Sequence, residues 1–259
     1  MKGLQYQYTK ELYERFGYLA TWTPGTPVAI GDVGEMDGNV FRRVSSLKLM
    51  TIPFSVRKDT GREDLLYTSE SGVKMNFKAA GSPVIAGSSL VTQKAGVTID
   101  FQRGAGVVFV ARGCLSPSIE DQISLGKEII RRYNTGGWDA KYVVVTEVVQ
   151  ADSMTAFISE SSGGKIELIA ENSLNLGTIN LADFNANFSV SASSGIHTQI
   201  VAKDKLTPLF RVRKVKASIW SGPTFALEKS LHNLEELPPE VEINEDDAEL
   251  VEFVPQFDV

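Results

Sequence analysis

Motifs for acid–base, nucleophilic or metal chemistry are mostly absent from this 259-residue chain, whose 32 acidic residues cannot be paired by spacing alone. The only histidines are His197 and His232, and the only cysteine is Cys114. A helical metalloprotease site needs two histidines one turn apart with a glutamate between them, and no such spacing occurs. His197 falls in an alternating, strand-like stretch and reads as a surface residue; His232 falls in a linker. A cysteine nucleophile needs a neighbouring base. No histidine lies near Cys114 in sequence, so it reads as a small packing residue. One cysteine can form neither an internal disulfide nor a cysteine-based zinc cage. Ser162-Gly163-Gly164-Lys165 has a Gly-Gly-Lys without phosphate-loop spacing. Arg103-Gly104-Ala105-Gly106 does not open a helix, as a dinucleotide turn must. No G-x-S-x-G elbow is present. The expectation is a protein that is not an enzyme and holds no metal and no cofactor.

The elements that would carry any other activity are strands. Four stretches alternate apolar and polar residues, and they fall in two pairs. The first pair is Val73, Met75, Phe77 against Lys74, Asn76, Lys78, followed by Val97, Ile99, Phe101 against Thr98, Asp100, Gln102. The second runs from Met154 to Ser159 and on through Ile166 and Leu168, and is followed by Phe184, Phe188 and Val190 on one face. Such strands have one apolar and one wet face. The apolar face covers a core in a soluble domain, or meets lipid in a membrane β-barrel. No apolar run of about 18 residues exists, so no helical span is expected. Met1 to Gln7 lack the apolar centre of a secretory signal, which reads as cytoplasmic.

Charge is unevenly placed. Residues 235–259 hold ten of the 32 acidic residues and none of the 26 basic ones, leaving residues 1–234 with 26 basic against 22 acidic, a net of +4. This acidic end also carries Leu237, Val241, Ile243, Leu250, Phe253 and Phe257. A purely solvating tail rarely holds so many large apolar residues, so it is expected to dock on the body. The body's basic residues do not interleave with aromatics as nucleic-acid-binding motifs require; no nucleic-acid partner is expected. A basic cluster, Arg211, Arg213, Lys214 and Lys216, ends the last body strand, on both of its faces, which suits an exposed edge guarded by charge.

The remaining pattern predicts a helix over 4–16, with Leu4, Tyr8, Leu12 and Phe16 on one side and Gly17 as its stop. Short strands are expected at 18–22, twice within 28–47 around Asp37-Gly38-Asn39, and at 52–56. Val107 to Ala111, apolar on both faces, reads as a buried strand. A second helix is expected from Ser118 as its N-cap to about Tyr133, with Ile119, Ile123 and Ile130 facing the core. Tyr142 to Val149 reads as a central strand. The fold class is α+β: a twisted, mostly antiparallel sheet with a few flanking helices.

Tyr142-Val143-Val144-Val145-Thr146-Glu147-Val148-Val149 resembles the VVTEV strand of the gasdermin pore-forming domain. Leu206 to Arg213, with its Phe210-Arg211-Val212, resembles the strand that closes the same domain, and the two occur in the same order. The similarity spans roughly residues 1–220 in layout and is specific in about 20 residues. It implies a gasdermin-like pore-forming domain over 1–220, of the compact bacterial or fungal type, with residues 221–259 as linker and autoinhibitory segment. Leu237, Val241, Ile243, Leu250, Phe253 and Phe257 would then hold the tail down, and a protease would act near Gly222, Phe225, Leu227 or Leu234. Lys10, Arg15, Arg211, Arg213, Lys214 and Lys216 would meet anionic membrane lipids. Val73, Met75, Phe77, Val97, Ile99, Phe101, Ile166, Leu168, Phe184, Phe188 and Val190 would line the lipid face of two hairpins per subunit in a homo-oligomeric ring. The protein would be cytoplasmic when inactive and membrane-bound when activated. Compact bacterial members carry a lipidated cysteine near the N-terminus, which this chain does not match. The alternative is a soluble β-rich interaction protein whose acidic tail binds a partner.

Overall fold

The computed structural model describes residues 3–70, 72–83, 88–102, 106–159, 162–170, 188–196, 198–217 and 248–257. In chain order the elements are α1 (Leu4–Phe16), β1 (Leu19–Ala20), β2 (Asp32–Asp37), β3 (Val40–Ser46), β4 (Val56–Arg57), β5 (Glu63–Thr68), β6 (Val73–Lys78) and β7 (Gly96–Phe101). They continue with β8 (Gly106–Cys114), β9 (Ser118–Ile119), α2 (Gln122–Asn134), β10 (Tyr142–Ser159), β11 (Gly164–Ala170), β12 (Phe188–Ser194), β13 (Thr198–Ala217) and β14 (Ala248–Glu252). Every strand pair is antiparallel, and with two helices among the described residues the chain is an α+β protein.

Two long strands organise it. β10, of 18 residues, pairs with β13, of 20 residues, from Val143↔Lys214 to Ile158↔Thr198. On its other edge β10 meets β2, then β9, then β8 in succession. β1 and β14 lie on the outer edge of β13. The sequence pattern divides β10 and β13 into shorter pieces because β10 carries irregularities between Val145 and Glu147, Val149 and Ala151, and Ala151 and Ser153. Each such slip moves the following side chains to the opposite face, so alternation is interrupted while the strand continues. Pro208, which lacks an N–H, sits across from this irregular stretch, where a missing ladder bond is best tolerated.

A second sheet, in the order β12-β11-β7-β6, gathers the alternating segments. The tight turn around Gly163 divides the stretch that alternation reads as continuous: Met154 to Ser159 stay in the large sheet, and Ile166 and Leu168 enter the small one. The small sheet packs its apolar face (Val97, Ile99, Phe101, Ile166, Leu168) on Val108 and Phe157 of the large sheet. The opposite face of β8 and β10 (Val107, Phe109, Ala111, Met154, Ala156, Ile158) receives Leu4, Tyr8 and Leu12 of α1. β8 is therefore covered on both sides, as its unbroken apolar run requires. Each of those buried large side chains is worth about 1.5–3 kcal/mol.

α1 starts and stops as the sequence indicates, with Gly17 in the left-handed conformation closing it onto the Tyr13 carbonyl. α2 departs from its expectation. Ser118 and Ile119 bridge β10 and β4 as a strand, and Asp121 is the cap, its carboxylate accepting from the Ile123 and Ser124 amides. The core side is Leu125, Gly126 and Ile129; Ile123 is 75% exposed and Ile130 is half-buried. At 100° per residue the observed stripe is turned by about a quarter of the helix circumference from the expected one. The strand expected at 52–56 is reduced to Val56–Arg57, with Ile52 buried as a single anchor. β5 lies in a segment whose charged start reads as loop; as an edge strand it exposes Glu63 and Asp64.

Candidate functional site: the tail strand and the basic edge

The basic end of β13 does not stand open. β14 pairs with it in register: Arg213↔Glu252, Lys214↔Val251, Val215↔Leu250, Lys216↔Glu249 and Ala217↔Ala248. The Phe253 amide continues the ladder onto the Val212 carbonyl, 3.0 Å away. Acids of the tail face bases of the strand: Glu249 lies 3.8 Å from Lys216, and Glu252 3.8 Å from Arg211. The Arg213 guanidinium donates to the Leu250 carbonyl at 3.3 Å.

Apolar residues anchor the same ten residues in three places. Leu250 packs in the cluster of Val215, Leu125 and Ile129. It lies over Gly126, where a Cβ would stand 3.6 Å from its own Cβ, so α2 has room for the tail at that turn. Phe253 joins Leu19, Phe210 and Val212, with the Lys214 ammonium 5.4 Å above its ring. Phe257 meets Tyr6 edge-on at 5.7 Å and Tyr13 at 5.8 Å, so the tail reaches α1.

Arg211 joins tail and body. Its guanidinium stacks on Tyr18 at 4.1 Å, lies 3.7 Å from the Glu147 carboxylate and donates to the Gly17 carbonyl at 3.3 Å. Tyr18 in turn donates to Glu147. Burial, and then the Glu147 carboxylate, push the Tyr18 phenol up to about 12. Arg211 is therefore held by body groups independently of Glu252. Of the residues expected to meet lipid, Arg213 and Lys214 are partly covered beside the tail, while Lys216 pairs with Glu249 and stays exposed. Lys10 pairs with Glu14 on α1, and Arg15 is exposed in its last turn.

The small sheet carries a feature that alternation does not reveal. Its polar face is covered by residues 88–95, part of a segment that reads as a Gly/Ser-rich loop. Lys78 is 2% exposed, and its ammonium donates to the carbonyls of Val91, Thr92 and Lys94 at 2.9, 3.1 and 2.7 Å. Glu167, equally buried, accepts from the Ser89 amide at 2.9 Å and from its hydroxyl, and pairs with Lys165 at 2.9 Å. Burial pushes the Glu167 carboxyl up, but the bonds from Ser89 and Lys165 outweigh it and hold the group at about 2. Leu90 is fully buried over Gly96, where a Cβ would collide with its side chain and with the Leu168 carbonyl. The wet face expected for these strands is thus dry at Lys78, Thr98 and Glu167. Leu90, a large branched residue in a segment rich in glycine and serine, is the sequence signal that this loop packs.

Of the expected lipid-facing residues, Val97, Ile99, Phe101, Ile166 and Leu168 are buried and Val73 and Met75 pack beside them. Phe77 is 44% and Val190 37% exposed. Phe188 begins β12, with its side chain outside the described atoms. Phe184, Gly222, Phe225, Leu227, Leu234, Leu237, Val241 and Ile243 lie outside the described residues, as do His197, His232, Arg103, Gly104 and Ala105. Cys114 is buried, and burial followed by the Asp64 carboxylate pushes its thiol up to about 12, which favours the neutral thiol over the nucleophilic thiolate. Among the described residues no group of His, Cys, Asp and Glu could hold a metal, and no helix is long and apolar enough to cross a membrane. No protein-family model matches the sequence, and no curated protein matches it.

Proposed function

We propose that this chain is a pore-forming effector of the gasdermin type, held inactive by its own C-terminal segment. The observation that carries this reading is β14: an acidic, apolar-anchored strand seated on the basic edge of the strand that closes the body. Neighbouring antiparallel strands need about two to five residues to join them, yet residues 218–247 intervene between Ala217 and Ala248, which face each other. A cut anywhere within 218–247 would separate β14 from β13 in the chain.

Removal of the tail uncovers Arg213 and Lys214 and releases Lys216 from Glu249 for anionic headgroups, each contributing on the order of 1 kcal/mol near a charged membrane. β6, β7, β11 and β12 then lengthen into two hairpins. A membrane-spanning strand needs about 9–11 residues, whereas β6 and β7 have six each and β11 and β12 seven each. Open edges cannot remain unpaired in hydrocarbon, so insertion requires many copies closing a ring.

Dye release from anionic liposomes tests the reading, comparing intact protein with protein cut at an engineered site within 218–247. Release only after cutting supports a tail-inhibited pore former. Absence of release from both, with folding verified, replaces it with a β-rich interaction module whose tail site serves a protein partner.

A further inference from the structure

Residues 88–95 are held almost entirely by the small sheet. Lys78 ties them to β6, Glu167 to β11, and Leu90 to β7 through Gly96. The Ala170 amide donates to the Ala95 carbonyl at 3.0 Å, which adds the far end of β11. The two pairs are joined directly by the β7–β11 ladder, from Gly164↔Phe101 to Ile169↔Gly96, and this segment braces that seam from one face. None of these contacts involves β14.

The same residues must move if β6 and β7 are to grow. Their register ends at Lys78↔Gly96. Continuing it by four residues pairs 79–82 with 92–95, whereas the Gly81 amide now bonds the Thr92 carbonyl at 2.7 Å, one residue out of that register, and would have to exchange this bond. The carbonyls of Thr92 and Lys94, which now cap the Lys78 ammonium, belong to residues the longer ladder would have to pair. Leu90 would also have to leave Gly96, and Ser89 would have to leave Glu167.

We propose that residues 88–95 are a latch that keeps the two directly paired strand pairs in their short form, a second lock acting independently of the tail. The latch rests on the pore-forming reading only for its purpose; its existence as a separately opening unit does not. Buried polar contacts of this kind are strong while complete and costly when broken one at a time. The segment opens as a unit when one contact is lost, without unfolding the large sheet.

Hydrogen exchange on the full chain tests it, with Lys78→Met and the milder Ser89→Ala, which keeps the Glu167 carboxylate on the Ser89 amide and Lys165. Loss of a hydrogen bond to a charged group should speed exchange about tenfold or more in 88–95 and 73–78, with β10 residues 142–149 unchanged. An equal rise in both sheets, or no rise in either variant, overturns the latch. Dye release after tail cleavage supplies the second arm: Lys78→Met should shorten the lag several-fold, while the uncut variant stays silent. Release with an unchanged lag overturns the latch as a lock. Selective exchange without dye release from any cut protein supports the latch and removes the pore-forming reading.

Discussion

The tail on β13 and the strap on the small sheet both cover strands, but they do so with different physics. The tail adds a strand to an edge, and its ion pairs are open to water: Lys216 and Glu249 are 64% and 65% exposed. The strap lies across a face, and its charges are buried, with Glu167 at 3% side-chain exposure. Exposed pairs are worth at most about 1 kcal/mol and are screened by salt. Buried, hydrogen-bonded charges are screened far less, and removing one partner leaves the other stranded. An edge strand can thus be released as a piece, while a strap must lose its contacts in place.

The largest effects should come from placing charge in the face shared by the two sheets. Ile99→Asp should cost roughly 4 kcal/mol or more, read as a fall in thermal midpoint, because Ile99 is fully buried in the closed form. It therefore tests folding rather than lipid contact. Phe77→Asp and Val190→Asp are the cleaner probes: at these exposed positions stability should change by about 0.5 kcal/mol or less, while dye release from cut protein is lost. Full release from Phe77→Asp would remove the first hairpin from the proposal.

Next in size is the tail. Leu250→Asp or Phe257→Ala should raise exchange of β13 residues 213–217 about tenfold and leave residues 88–95 unchanged. A shift of both regions together would break the distinction drawn between them. Salt sharpens it: raising ionic strength should loosen the tail and spare the strap. Acid, unlike salt, should reach the strap. With its carboxyl held at about 2 against an ordinary 4.5, Glu167 stabilises the strap fully above pH 4.5, and that contribution is lost as pH falls toward 2.

Smaller effects separate Arg211 from the tail. Glu252→Gln should cost under about 1 kcal/mol. Glu147→Gln should cost about 1.5–3 kcal/mol and bring the Tyr18 phenolate titration, followed by ultraviolet absorbance, down from about 12 toward 10. Because the folded value is raised, the stability linked to Tyr18 is complete below pH 10 and lost as pH rises through 12. The smallest change is Tyr8→Phe. Its hydroxyl is buried with no hydrogen-bond partner, so removal should be neutral or stabilising by up to about 1 kcal/mol in a denaturant titration.

What could be read from the residues depended on whether a signal was local. α1, with its four-residue stripe and Gly17, is a local pattern, and so is the Asp37–Val40 hairpin. The docking of the tail was legible from composition, because acids and large apolar residues occur together between 235 and 257. Which strand receives it was not: β13 and β14 pair across residues 218–247, and no local pattern encodes that register. The continuity of β10 was hidden by its irregularities, and the face of α2 by a cap three residues beyond Ser118. The strap was least legible. Lys78 and Glu167 look like solvent-facing positions of alternating strands until residues 88–95 fold over them.

The pairing of Leu19 with Phe210 bears on how the protein is made. β1 cannot take its place until β13 has left the ribosome, so the body is completed late in synthesis. Residues 218–257 take roughly 2–8 s to add at about 5–20 residues per second, so the basic edge of β13 is always made before the strand that covers it.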